Sequence, residues 1–214
     1  VIRYEDGTEE LFVTDESWSG ADAPVVFAEI YDGEIYDGAK EIKGWSEAGC
    51  TAGQWKPVRK LDYDFSVLTG QGSGKVSLMD EVKPKEIFET PEGDLVIDFG
   101  QNMSALIQVT ATGKKGDVIR LDCFEVLDSK GNVYLDNLRG AKESLQYTFG
   151  EDGTITYRPS FTFMGFRYAK IVSFPGTPEP GNFIAHAIHT NMERTGFLET
   201  SNPDLNQLAH NILW

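Results

Sequence analysis

From Lys85 onward the chain alternates short β-prone runs with polar, glycine-bearing turns, and this spacing limits the possible folds more than any other feature. Lys85–Glu89 and Asp94–Asp98 straddle Thr90-Pro91-Glu92-Gly93. Ala105–Ala111 and Asp117–Phe124 straddle Gly113-Lys114-Lys115-Gly116, and Ser144–Phe149 and Thr154–Tyr157 straddle Gly150-Glu151-Asp152-Gly153. Phe161–Phe174 and Phe183–Thr190 alternate over longer runs, and Thr195–Thr200 reads as a last strand. Strand side chains point alternately to two faces, so each alternating run offers one face to a core. Short strands punctuated by turns predict an all-β chain, an antiparallel β-sandwich rather than an α/β fold.

Upstream the pattern is looser. Val1–Tyr4 and Leu11–Thr14 flank Asp6-Gly7-Thr8, a hairpin signal. Pro24–Ile30 is β-rich, and Gly44-Trp45 to Val58 reads as an irregular loop entering a strand. The run Gly70-Gln71-Gly72-Ser73-Gly74 is flexible and marks the expected boundary. Leu138–Lys142 is expected to form one helical turn. Near the end, Asn202 is an N-cap, Pro203 suits the first helical position and Asp204 suits the positive end of the dipole. Leu205, Leu208, Ala209 and Ile212 then define one apolar helical face with no stop signal after it. The expected division is residues 1–74, residues 75–192 as the sandwich, and residues 193–214 as a linker and the first helix of something longer.

Thirty-four acidic residues against 19 basic ones give a net charge of −15, which repels nucleic acid and anionic membrane surfaces. No nucleic-acid or membrane partner is expected, and no apolar run reaches the roughly 18 residues of a membrane span. Neutral or cationic partners suit this charge, a neutral sugar among them. Val1 is not a natural start, so the lack of a leader says nothing about export, and the compartment stays open. Cys50 and Cys123 are too few and too far apart for a disulfide framework or zinc site, and both are expected reduced. His186, His189 and His210 form no metal constellation, so no metal and no cofactor are expected.

Several motif matches fail on context. Asp98-Phe99-Gly100 matches a kinase magnesium tripeptide, but no other kinase motif is present. Gly70-Gln71-Gly72-Ser73-Gly74-Lys75 lacks phosphate-loop spacing, because Val76 stands where Ser or Thr must follow the lysine. Asp128-Ser129-Lys130-Gly131-Asn132 lacks the alternating acids of a calcium loop. Asn102-Met103-Ser104 fits the glycosylation sequon, a match too short to carry weight. Glycosidic chemistry needs two carboxylates roughly 5–9.5 Å apart, and no pair here stands out for that role.

Four residues are the candidate sugar contacts. Asp98 and Asn102 flank Gly100 and either hydrogen-bond the turn backbone or reach a sugar. Arg167 either covers apolar surface with its stem or reaches a ligand hydroxyl. Trp45, like Trp18 and Trp55, either fills a core or interface or stacks on a sugar face. In Phe161-Thr162-Phe163-Met164-Gly165-Phe166-Arg167-Tyr168, the glycine suggests a bulge or close backbone approach.

Three segments together resemble one family. They are Val96-Ile97-Asp98-Phe99-Gly100-Gln101-Asn102-Met103, then Arg158-Pro159-Ser160-Phe161-Thr162-Phe163-Met164-Gly165-Phe166-Arg167-Tyr168, and Gly196-Phe197-Leu198-Glu199-Thr200-Ser201-Asn202 running into Leu205-Asn206. In that order they are similar to the region before the catalytic domain of bacterial α-L-rhamnosidases, inverting glycoside hydrolases. Tyr31-Asp32-Gly33-Glu34-Ile35-Tyr36-Asp37 resembles the end of that family's N-terminal jelly-roll domain. The chain departs from the family at Ser104-Ala105, at Asp37-Gly38-Ala39-Lys40 and at Thr200, where members often carry Gly, Asp-Ala-Arg and Cys. The resemblance implies a jelly-roll or concanavalin-like sandwich serving as a non-catalytic scaffold, with residues 203–214 opening an (α/α)6 catalytic barrel. Its implied partners are that barrel and rhamnose-containing glycosides or polysaccharide. None of the family's acidic catalytic motifs has a match here, so no catalytic residue is assigned. The rival expectation is a free-standing carbohydrate-binding module.

Overall fold

A computed structural model describes residues 1–72 and 74–214; Ser73, in the expected boundary run, lies outside the described residues. The chain forms two compact units, Val1–Ala23 with Lys40–Gln71, and Pro24–Ala39 with Gly72–Trp214. The first holds two small antiparallel ladders, Ile2–Arg3 with Glu9–Glu10 and Ser19–Gly20 with Lys56–Pro57. The Asp6-Gly7-Thr8 turn forms as expected, with Gly7 at φ +82° and Tyr4 N–H donating to Thr8 O. Its flanking strands are shorter than the sequence pattern suggests, and Leu11–Thr14 is not a strand.

The second unit is built on a ten-stranded sheet. Its strands are β1 Val25–Glu29, β2 Gly33–Asp37, β3 Val76–Val82, β4 Glu86–Glu89, β5 Leu95–Gly113, β6 Val118–Phe124, β7 Ser144–Thr148, β8 Gly153–Tyr157, β9 Met164–Ser173 and β10 Phe183–Thr190. The order is β1-β2-β7-β6-β9-β5-β10-β3, with β4 and β8 pairing to other stretches of β5. The runs Asp94–Asp98 and Ala105–Ala111, read as separate strands, fall, from Leu95 on, in one 19-residue strand. Its start pairs with β4, its middle with β9 and β10, and its end with β8, so it runs through both layers of the curled sheet. The core follows from its alternation: Ile97, Phe99, Met103, Ala105, Ile107, Val109 and Ala111 all turn inward and are buried. Phe166, Leu121, Leu145 and Phe183 meet them from β9, β6, β7 and β10.

Not every pairing is antiparallel. β2 runs parallel to β7, with Gly33 opposite Ser144 and Asp37 opposite Thr148. Gly33 is required there: its φ is +101°, and a Cβ would stand 1.8 Å from Ser144 O. The next residue, Glu34, is buried; its carboxylate accepts from Tyr157 Oη at 2.5 Å and from the N–H groups of Ser160 and Phe161 at 3.0 and 2.8 Å. Burial, the bond to Glu34 and the Glu34 charge all push the Tyr157 phenol far up. The segment Pro24–Ala39, expected within residues 1–74, is thus built into the sheet of the second unit.

Other local expectations shift by a few residues. The helical turn lies at Asp136–Leu138 as a 3-10 turn, and Thr195–Thr200 is not a strand. α1, Pro203–Ile212, starts as read: Asn202 Oδ1 accepts from Asp204 N–H at 2.9 Å and Leu205 N–H at 3.4 Å. Thr200 is tied to this helix, its N–H donating to Asn206 Oδ1 while Asn206 Nδ2 donates to Thr200 O. Leu205, Leu208 and Ile212 are exposed along α1. Cys123 is buried in β6 and Cys50 half-buried, both as free thiols.

Candidate functional site

The sequence pattern breaks most sharply at Gly100-Gln101-Asn102, and there the β5–β9 ladder breaks too. Asp98 pairs with Tyr168 and Met103 with Phe166, so residues 99–102 together oppose Arg167 alone. A wide bulge of this kind frees side chains from the alternation and re-aims them. Gly100 permits it with φ +75°, and a Cβ there would lie 2.2 Å from Lys85 Cε. The expected bulge glycine, Gly165, is instead in regular register opposite Ser104, with open space where its Cβ would be. The kink arises on the facing strand, where a positive φ is needed.

Asp98 and Arg167 clamp this bulge. Arg167 Nε donates to Asp98 Oδ1 at 2.9 Å and Nη2 to Oδ2 at 2.8 Å, a two-pronged charge-assisted pair. Asp98 Oδ1 also accepts the Gly100 N–H at 2.5 Å. Burial alone raises the Asp98 carboxyl, but the Arg167 and Gly100 bonds, with the Arg167 and Lys85 charges, outweigh it and hold the group below its ordinary value. The Asp98 hydrogen bond correspondingly raises Arg167, whose guanidinium lies 4.8 Å from the centre of the Tyr168 ring. A carboxylate with both oxygens engaged and a lowered pKa anchors a cation; it is a poor proton donor.

Asn102 points to a second cluster. Its Nδ2 donates to Glu125 Oε1 at 3.1 Å, Asn137 Nδ2 donates to Glu125 Oε2 at 2.8 Å, and Gln101 Nε2 donates to Asn102 O at 2.8 Å. Nearby, Glu143 stands at φ +45°, a left-handed conformation unusual for a residue with a side chain. Its Oε2 is buried with no hydrogen-bond partner. Burial, then the Glu125 charge, pushes the Glu143 carboxyl up to about 7. A cleft of about 520 Å³ opens beside this cluster, lined by Gln101, Asn102, Glu125, Asn211 and Trp214 with Met103 and Ser104.

Of the four sequence candidates, the fold brings Asp98, Asn102 and Arg167 to one bulge, with Asp98 and Arg167 bonded to each other. Trp45 belongs to the first compact unit, exposed in a turn where its N–H donates to Ile42 O. Sequence reasoning missed Glu125, Asn137 and Glu143, which carry no motif and meet only through the sheet order. The positive φ at Glu143 has no sequence signal, since Glu is not a turn former. Among the described residues no group of three or more His, Cys, Asp or Glu side chains is arranged to hold a metal ion. His186 is buried in β10 beside Gln108 Oε1 at 3.2 Å, and burial lowers its pKa.

Comparison with known proteins gives two family matches. Residues 88–189 match the bacterial alpha-L-rhamnosidase concanavalin-like domain, and residues 1–80 match the alpha-L-rhamnosidase N-terminal domain. An alpha-L-rhamnosidase of Streptomyces avermitilis is 36% identical over 214 residues, covering 100% of this chain and 21% of that protein. One from Alteromonas sp. is 32% identical over 217 residues, covering 100% and 24%. Among solved structures, native α-L-rhamnosidase from Aspergillus terreus aligns with TM-score 0.92 at 36% identity, over 98% of this chain and 24% of that one. The Streptomyces avermitilis enzyme complexed with L-rhamnose aligns with TM-score 0.91 at 37% identity, over 99% and 21%. The chain therefore spans under a quarter of the length of these relatives.

Proposed function

The chain belongs to the bacterial α-L-rhamnosidase family, and from that premise we propose that it scaffolds an enzyme that hydrolyses terminal α-L-rhamnosides with inversion. The chain corresponds to the N-terminal, non-catalytic region of such enzymes. In the full protein, a carboxylic acid elsewhere would protonate the leaving oxygen while a second carboxylate activates water on the opposite face. Our reading divides the chain into modules at residues 1–74, 75–192 and 193–214, with Pro24–Ala39 of the first lent to the sheet of the second and the last part leading into an (α/α)6 barrel.

One observation carries the scaffold role. Leu205, Leu208 and Ile212 are 49%, 54% and 75% exposed on a well-capped helix. Full burial of such a side chain yields about 1.5–3 kcal/mol, so covering the half to three-quarters still exposed here yields roughly 1–2 kcal/mol each, enough together to help hold a neighbouring domain in place. The clamp of Asp98 on Arg167 suits the same role, because it stiffens the strand pair at its one broken point.

The test is turnover of p-nitrophenyl α-L-rhamnoside. The chain of residues 1–214 is expected to show none, and a parent protein continuing through a barrel is expected to cleave it. Hydrolysis by purified 1–214 above a mock preparation would reject the scaffold reading. Loss of activity in the parent on Leu208→Asp, with the barrel still folded, is the expected signature of a broken brace.

A further inference from the structure

The bulge interrupts the β5–β9 ladder and places Gly100 at a positive φ; β5 keeps its inward alternation through it, while on β9 the core-facing residues slip from Phe166 to Ala169 and Tyr168 turns to the other face. The register break serves the core in this way, and it also leaves Gln101 and Asn102 lining a cleft beside Glu125 and the end of α1. We propose that this cleft is an accessory binding site for a neutral sugar, specifically a terminal rhamnosyl unit; the sugar's identity rests on the family reading above.

The chemistry of the lining selects for a polyol. Asn102 keeps its Oδ1 and Gln101 its Oε1 as acceptors after their N–H groups are engaged. Asn211 accepts from Gln207 Nε2 through Oδ1 at 2.8 Å, leaving its amide N–H groups as donors. Glu125 is fixed by two amide donors and retains lone pairs for further hydroxyls. Vicinal hydroxyls, each both donor and acceptor, suit such a mixed array. Trp214 donates its indole N–H to His210 Nε2 at 3.2 Å, so its ring remains as an apolar surface. That surface suits the C–H faces and methyl group of a 6-deoxy sugar.

Other ligand classes fit worse. Among the described residues no cationic side chain lines this cleft and Glu125 does, which disfavours an anionic sugar. Both Glu125 oxygens face amide N–H donors, an arrangement that opposes a metal cation. The volume of about 520 Å³ falls within the range of small-molecule sites.

The test is titration of methyl α-L-rhamnoside into the 214-residue chain, followed by calorimetry and by NMR. Saturable binding is expected, with shifts at the Asn102 amide and the Trp214 indole. Asn102→Ala and Glu125→Ala should each weaken it about tenfold or more, while Gln146→Ala on the β7 surface should leave it unchanged. Amide spectra of each variant report whether it is folded, and a conservative Glu125→Gln is the second probe should Glu125→Ala unfold. Absence of saturable binding would overturn the proposal. So would binding that survives both cleft substitutions, or equal binding of glucuronate. A parent enzyme that cleaves rhamnosides while this chain binds none would reject the cleft and leave the family reading untouched. Binding here with no turnover by the parent would do the reverse.

Discussion

Replacing Glu143 with Gln should stabilise the protein at pH 8 and have little effect near pH 5. The Glu143 carboxyl is pushed from its ordinary 4.5 up to about 7, first by burial and then by the Glu125 charge. Below pH 4.5 the group is neutral in both folded and unfolded chains and contributes nothing unfavourable. Between 4.5 and 7 the folded chain holds a proton that the unfolded chain has released, so stability falls as pH rises. Above 7 the loss is complete. At 1.36 kcal/mol per pH unit, the gap between 4.5 and about 7 amounts to about 3 kcal/mol for a fully dry site. Glu143 is only half-buried, and water screens it, so about 1.5 kcal/mol is the better figure, of which about 1 kcal/mol falls between pH 5 and 8. Gln carries no such term. Urea or thermal melts of both proteins at pH 5, 6, 7 and 8 would measure it, with a melting-point gain of about 2–4 °C at pH 8 relative to pH 5. A difference between the proteins that stays constant across that range would refute the reasoning.

Three further outcomes follow from the same geometry. Arg167→Ala should cost about 2 kcal/mol, since it leaves the poorly exposed Asp98 carboxylate without its two-pronged partner; denaturant melts measure it, and a double-mutant cycle with Asp98→Asn should show coupling. Because the Asp98 pKa is lowered by folding, the stability from this pair is present at neutral pH and lost as pH falls through the folded value, so the Arg167→Ala deficit should shrink in acid. Gly100→Ala should cost about 1–2 kcal/mol from the left-handed backbone alone, and more if Lys85 does not swing clear, as thermal melts would show. Gly33→Ala should give little soluble protein, because the added methyl would meet the Ser144 carbonyl at 1.8 Å, where backbone must move; expression at wild-type yield with an unchanged melting point would count against the parallel pairing.

Much of the sandwich was legible because its signals are local. Turns such as Thr90-Pro91-Glu92-Gly93 and the alternation of Ala105, Ile107, Val109 and Ala111 announce themselves within a few residues. The N-cap of α1 was legible for the same reason. The continuity of β5 was not, because Gly100-Gln101-Asn102 reads as a strand end unless the facing strand is known. Gly165 drew attention as a kink for the mirror-image reason: the strain sits across the ladder, at Gly100. The Asp98–Arg167 pair joins residues 69 apart, and Glu125, Asn137 and Glu143 converge from separate segments. Such convergence is a property of strand order, which no local pattern encodes.

The parallel pairing of β2 with β7 sets a timetable for folding. Gly33–Asp37 leaves the ribosome more than a hundred residues before Ser144–Thr148, the stretch it must lie against. Until then its unpaired edge and the charge of Glu34 wait for Tyr157, Ser160 and Phe161. Contacts this distant along the chain slow folding and prolong exposure of sticky edges. Any trimmed version meant to stand alone must therefore begin no later than Pro24, because a start after Gln71 would strip two strands from one side of the sheet and orphan three donors.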